Sequence, residues 1–197
     1  RTHTLPCFAP AAILNPLTVR AFNALYYHRH RSERKLVDYD RFFFPLDRIH
    51  HWNRIYGQRG FTQYQAVLPP SADAGHRGVK AMLQRIADFG GASFLAVLKK
   101  FGPASAGLLS FPMEGYTLSL DLPNTGPKLL DLMGTLDRIV IEHGGRVYLA
   151  KDACLSRESF AAMYPNLERF KQIKARLDPE RRLASSQARR LGIVEGG

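Results

Sequence analysis

Phe61-Thr62-Gln63-Tyr64-Gln65-Ala66-Val67-Leu68, closed by Pro69-Pro70, is the stretch that decides the fold. Its alternation predicts a strand, and the two prolines cannot continue a hydrogen-bonded ladder. Over residues 76–89, Val79, Met82, Leu83, Ile86 and Phe89 recur at helical spacing, and Gly90-Gly91 ends the run. Residues 93–101 predict a second strand, closed by Gly102-Pro103, and residues 115–122 a third, closed by Pro123. Pro127 opens a helix with Leu129, Leu132, Met133, Leu136, Ile139 and Val140 inward, stopped by Gly144-Gly145. Residues 146–150 predict a fourth strand.

The order β-α-β-β-α-β predicts an α+β protein built on a ferredoxin-like antiparallel sheet, with both helices on one face. Its other face must be covered by something else or meet a ligand. Helices flank this unit on both sides. Residues 1–16 form a Pro/Ala-rich extended entry, and Asn15-Pro16 caps a helix running to about residue 33. Pro45 starts another through Tyr56, with Gly57 ending it. After the sheet come helices over 156–164 and 166–177, then Asp178-Pro179 and a basic tail.

Composition narrows the function classes. The 197 residues are 45% hydrophobic and 23% charged, as in a folded globule. The longest apolar run, Phe94-Leu95-Ala96-Val97-Leu98, is far short of the ~20 residues of a membrane helix. A net charge of +11 suits nucleic acid, an anionic membrane surface or a phosphorylated ligand. Residues 20–59 concentrate it, with nine Arg/Lys against four Asp/Glu among many aromatics. Cys7 and Cys154 are too few and too far apart for a disulfide framework or zinc site, and are expected to be free, packed thiols. His28, His30, His50 and His51 lack zinc-ligand spacing, so no metal is expected. There is no GxSxG, P-loop or GxGxxG motif. The chain begins Arg1-Thr2-His3 without Met or a signal-peptide core, so its natural start is expected upstream.

Strand parity shows where polar groups collect. Gln63 and Gln65 share a face, and Thr117, Ser119 and Asp121 alternate with Tyr116, Leu118 and Leu120. With Lys99 or Lys100 from the second strand, they form a row of amides, hydroxyls and ammonium suited to a sugar or sugar phosphate. A merely solvated sheet face has the same pattern. The aromatic strand signature of single-stranded RNA binders is missing. The alternative function is a stand-alone basic module for nucleic acid or another anionic ligand.

Several segments, in order, resemble one family. They are Phe44-Pro45-Leu46-Asp47, Trp52-Asn53-Arg54, Gly60-Phe61-Thr62-Gln63-Tyr64-Gln65 and Lys99-Lys100-Phe101-Gly102-Pro103. Leu109-Ser110-Phe111-Pro112, Gly144-Gly145-Arg146-Val147-Tyr148-Leu149-Ala150-Lys151-Asp152 and Met163-Tyr164-Pro165 continue the series. Leu177-Asp178-Pro179, Ser185 and Arg189-Arg190-Leu191 close it. Together they resemble the C-terminal half of FAD-linked oxidases of the vanillyl-alcohol oxidase superfamily, closest to the decaprenylphosphoryl-β-D-ribose oxidase and aldonolactone oxidase type.

The resemblance implies that residues 1–145 form a substrate-binding cap. Residues 146–197 would complete a flavin domain whose N-terminal, FAD-binding half is absent, so this chain alone is expected to hold no FAD and to be inactive. It implies oxidation of a CH–OH group of a sugar, sugar lactone or lipid-linked sugar phosphate by hydride transfer to flavin. Lys151 would be the catalytic cation at the flavin edge, with Tyr148 packing by the ring. Gln63, Gln65, Lys99 and Ser119 would contact substrate, with Phe101 and Trp52 as apolar walls. With no membrane-spanning run in the chain, the location is left open between cytoplasmic and membrane-peripheral. Members of the ribose-oxidising type carry Cys where Ser119 stands, His where Phe44 stands and an apolar residue where Lys100 stands.

Overall fold

A computed structural model describes residues 3–10, 15–29, 34–44, 47–70, 74–90 and 95–194. Strand β1 (His3–Thr4) comes first, then helices α1 (Pro16–Arg29) and α2 (Tyr39–Phe43) and strand β2 (Ile49–His50), which pairs parallel with β1. Asn15 caps α1 as its sequence predicts, its Oδ1 accepting from the amides of Leu17 and Thr18. The end predicted near residue 33 lies outside the described residues. The helix expected from Pro45 to Tyr56 does not form. Residues 47–48 turn, β2 follows, and Trp52–Tyr56 is one short 3-10 helix entered through His51 in the left-handed conformation. Crowded aromatics without helical periodicity give that stretch no single face to bury.

The main sheet contains β3 (Phe61–Leu68), β4 (Ala96–Phe101), β5 (Gly115–Pro123) and β6 (Arg146–Val147) in the order β4-β5-β3-β6, each neighbouring pair antiparallel. Between them run α3 (Ala74–Phe89) and α4 (Pro127–Glu142). The C-terminal part adds α5 (Arg157–Met163), α6 (Leu167–Leu177) and α7 (Ser186–Arg190). The protein is therefore a mixed helix-and-sheet fold on an antiparallel sheet.

One core joins these elements. Tyr64, Ala66 and Leu68 of β3 and Leu118, Leu120 and Leu122 of β5 are buried with Val79, Met82 and Ile86 of α3. Leu129, Leu132, Met133, Leu136 and Val140 of α4 join them, as do Val147, Phe160, Tyr164 and Leu191 from residues 146–197. Leu83 is the exception to the predicted inward set. It is 45% exposed and faces a groove beside Leu98, because the inner side of edge strand β4 is left uncovered. Cys7 is exposed, against the packed thiol expected; Cys154 is half-buried, its Sγ 3.6 Å from Met133 Sδ.

Asp137 is a carboxylate inside this core, 4% exposed, accepting from the Tyr64 hydroxyl at 2.8 Å. Burial raises its pKa from 3.8 to about 6; the Tyr64 hydrogen bond opposes the rise and the charge of Asp152 adds to it. The native state therefore keeps a proton that the unfolded chain releases between those pH values. Its contribution to stability is complete below pH 3.8 and is lost as pH rises through 6. At 1.36 kcal/mol per pH unit the loss is about 3 kcal/mol. Asp137→Asn keeps an oxygen acceptor for Tyr64 and removes the charge. In urea unfolding it should stabilise the chain by about 2–3 kcal/mol at pH 8 and change nothing near pH 3.5. Equal effects at both pH values would contradict this account.

Candidate functional site

The face turned away from α3 and α4 is set by register. Gln63 pairs with Asp121, Gln65 with Ser119 and Val67 with Thr117, while Val97 pairs with Ser119 and Lys99 with Thr117. These residues all share a face, opposite the buried Tyr64, Leu118 and Leu120. Lys100 pairs with Tyr116 and so lies on the helix side; of the two lysines, Lys99 is the one on the polar face.

This face is not simply wet. Gln65, Thr117 and Asp121 are 7%, 1% and 2% exposed. Each makes a side-chain hydrogen bond to a neighbour on this face. Gln65 Nε2 donates to Thr117 Oγ1 at 3.0 Å, and Gln63 Nε2 donates to Asp121 Oδ1 at 2.9 Å. Lys151, half-buried, reaches over the row and donates from Nζ to Ser119 Oγ at 3.0 Å. An ammonium has three donors, so this contact occupies one of them.

Aromatic groups stand at both ends of the row. Trp52 packs against Phe61 at 5.4 Å and against Tyr56 at 6.3 Å, beside Gln63. At the other end Tyr148 stacks on Phe111 at 4.5 Å, and Phe101 meets Phe111 edge-on at 5.8 Å. Phe111 lies on the loop after β4, which Arg146 holds by donating to Ser110 O at 2.9 Å. A cavity of about 570 Å³ lined by Phe8, Tyr56, Phe89, Leu122 and Leu129 holds none of the predicted site residues.

Lys151 does not follow a five-residue strand. Strand β6 ends at Val147, and Leu149–Lys151 is a 3-10 turn. The turn is held by longer-range contacts. The Tyr148 amide donates to Gln65 O at 2.8 Å, and the Lys151 amide to Tyr148 O at 3.0 Å. Gln187 Nε2 donates to Leu149 O at 2.6 Å, and Arg190 Nη2 donates to Asp152 Oδ2 at 2.6 Å. The other Asp152 oxygen accepts from the Cys154 and Leu155 amides. Helix α7, capped by Ser185 Oγ, thus fixes the turn that carries Lys151.

Charge follows the same geometry. Burial lowers the Lys151 pKa, Asp121 opposes the lowering and Lys99 adds to it. Burial raises the Asp121 pKa, while the Gln63 hydrogen bond and Lys151 pull it down. The structure thus brings together Gln63, Gln65, Ser119, Lys99 and Lys151, with Trp52, Phe101 and Tyr148 at the margins. Asp121, Thr117 and Phe111 belong to the same arrangement but are absent from the predicted site. Strand parity already placed Asp121 and Thr117 beside Ser119; what was missing was their burial. Among the described residues no group of three or more His, Cys, Asp or Glu could hold a metal ion.

Comparison with known proteins bears out the family resemblance. The sequence profile of the D-arabinono-1,4-lactone oxidase family matches residues 122–191. Decaprenylphosphoryl-β-D-ribose oxidase of Mycolicibacterium smegmatis is 38% identical over 192 residues, covering 97% of this chain. A Streptomyces coelicolor protein described only as an uncharacterised protein in the mprA 5′ region is 43% identical over 115 residues, 58% of this chain. The chain spans 41% of the first relative's length and 31% of the second's. Neither comparison supports the alternative of a stand-alone nucleic-acid or anion-binding module.

Proposed function

From its kinship with the C-terminal part of FAD-linked oxidases, we propose that this chain supplies the substrate-facing surface of a flavin-dependent oxidoreductase. Its donor would be a CH–OH group of a sugar, sugar lactone or lipid-linked sugar phosphate. One observation carries the reading: Lys151 Nζ lies over a buried polar row, 3.0 Å from Ser119 Oγ, on the sheet face that α3 and α4 leave uncovered. We read the sheet as ferredoxin-like, its order β4-β5-β3-β6 being that of the split βαββαβ unit. Residues 1–145 would be the cap and 146–197 the segment completing a flavin domain, the two sharing the core described above.

The residues fit one part of FAD and not another. A fixed cation flanked by amide donors and a stacked tyrosine suits the edge of a flavin ring. No glycine-rich loop opens a helix in this sequence to hold a pyrophosphate. FAD would be held chiefly by the proposed N-terminal half, with Lys151 and Tyr148 at the ring. Bound FAD supplies the acceptor for the hydride.

This chain's residues would do the rest. Gln63, Gln65, Ser119 and Lys99 would offer amide, hydroxyl and ammonium groups of the kinds that bind a sugar's hydroxyls or phosphate. Trp52 and Phe101 limit the site with apolar walls. Lys151 provides positive charge where hydride transfer delivers negative charge. Such a group accelerates the step because it acts more strongly on the transition state than on the ground state. The exposed aromatics Tyr26, Tyr27, Phe42 and Phe43 on α1 and α2, interspersed with Arg20, Arg29 and Lys35, would suit a peripheral approach to a membrane holding a lipid-linked substrate. Among the described residues no helix is long and apolar enough to cross a membrane.

The division of labour has a simple test. The 197-residue chain expressed alone should purify colourless. The full-length polypeptide with the proposed N-terminal half should retain flavin absorbance through desalting. Stoichiometric flavin on the short chain would reject the division.

A further inference from the structure

Asp121 is a buried carboxylate on β5. It is 2% exposed and carries its carboxylate on the polar face, one strand period from Ser119. Its Oδ1 accepts the Gln63 amide, and Gln63 is its direct cross-strand partner. Ser119, two residues away, accepts from Lys151. Of the two side chains proposed to touch substrate or cofactor from this end of the sheet, Gln63 is bonded to Asp121 directly and Lys151 is held one strand period away, on Ser119. A buried carboxylate is costly unless hydrogen-bonded and balanced by positive charge. Lys151 is a cation whose charge acts on it, and Gln63 supplies a hydrogen bond.

Resting on the flavin-facing reading above, we propose that Asp121 is the positioning residue of this site: it fixes the Gln63 amide and acts as the electrostatic partner of Lys151. The surrounding charges leave it that role. From β4, Lys99 opposes the charge of Lys151. From β3, Gln63 and Gln65 are neutral amides, and Gln65 is engaged by Thr117. From β6, Arg146 is turned to Ser110 O and lies over the Tyr164 ring. Asp152, next to Lys151 in the chain, is paired with Arg190. Asp121 is therefore the carboxylate on this face whose charge favours the ammonium form of Lys151, against burial and against Lys99.

The substitution that isolates this role is Asp121→Asn. It removes the charge and keeps an Oδ1 acceptor for Gln63. The readout is the titration of Lys151 itself, followed by NMR of 13Cε-labelled lysine in the full-length protein and assigned with Lys151→Arg. Asp121→Asn should lower the Lys151 midpoint by about one pH unit, the size expected for losing a nearby opposite charge. Lys99→Met should raise it. In the wild type, acidification should produce a step in the Lys151 signal at the pH where the Asp121 carboxyl titrates, which tests the pairing even if Asp121→Asn does not fold. The alkaline limb of flavin reduction should move with the Lys151 midpoint. A midpoint unmoved by Asp121→Asn, or no step in the wild type, overturns the proposal. If the midpoint moves while Lys151→Ala reduces its flavin at the wild-type rate, the electrostatic pairing stands and the flavin-facing reading fails.

Discussion

Lys151→Ala in the full-length protein should slow reduction of bound flavin by substrate about 100–1000-fold, the usual effect of deleting one group that stabilises developing charge. FAD should stay bound, because Lys151 is proposed to contribute charge at the ring while the cofactor is held mainly elsewhere. The size of the effect depends on position. Nζ is kept over Ser119 by a turn tied to β3 through Tyr148 and to α7 through Gln187 and Asp152–Arg190, so the charge is fixed before substrate arrives. Lys151→Arg should recover only part of the rate, since a planar fork cannot reproduce a point charge at the same place. Anaerobic stopped-flow absorbance separates this step from reoxidation. A wild-type reduction rate in Lys151→Ala would make it a surface lysine.

The second large effect is expected far from the site. Phe160 is fully buried, its ring 5.1 Å from that of Tyr164, in the core shared with β3, β5 and α4. Truncation to Ala should cost about 3–5 kcal/mol through lost burial and the cavity left behind. Trp52, the only tryptophan, lies over Phe61 at the start of β3, in a different part of the fold. If one core unites residues on both sides of 145/146, Phe160→Ala will shift the urea transition reported by Trp52 fluorescence as fully as that reported by circular dichroism. An unmoved Trp52 transition would mean that the C-terminal segment unfolds by itself.

Much of this architecture was legible because local and global signals agree. β3 and β5 alternate and α3 and α4 carry apolar stripes, so periodicity, Pro and Gly boundaries, and burial all point one way. The parity that puts Gln63, Gln65 and Ser119 on one face follows from strand geometry alone. The failures lie where structure is imposed from a distance. Residues 45–56 have no apolar period, and His51 takes a left-handed backbone that nothing in its neighbours announces. The predicted fourth strand is cut to Arg146–Val147 because Gln187 and Arg190, roughly forty residues later, hold the next residues in a turn. Lys100 and Lys99 cannot be told apart until register fixes which of them faces Thr117.

Asp121 shows a subtler limit. Its place beside Ser119 was readable, but its partners are Gln63 from one strand and Lys151 from a turn, and pairings between separate segments leave no trace in composition. Gly115 is a contrasting case. Its backbone has φ +151°, and a Cβ there would lie 1.9 Å from Leu68 O, so glycine at the start of β5 is required by the close approach of β3. The glycine is visible in the sequence; the reason for it is not.

The most direct test mixes the full-length flavoprotein anaerobically with a panel of sugars, aldonolactones and sugar phosphates while the oxidised flavin band is recorded. At least one CH–OH donor should bleach that band, and the same compound lacking the hydroxyl at the oxidised carbon should leave it unchanged. If dithionite bleaches the flavin and no member of the panel does, the polar face over which Lys151 reaches is not a site for sugar oxidation.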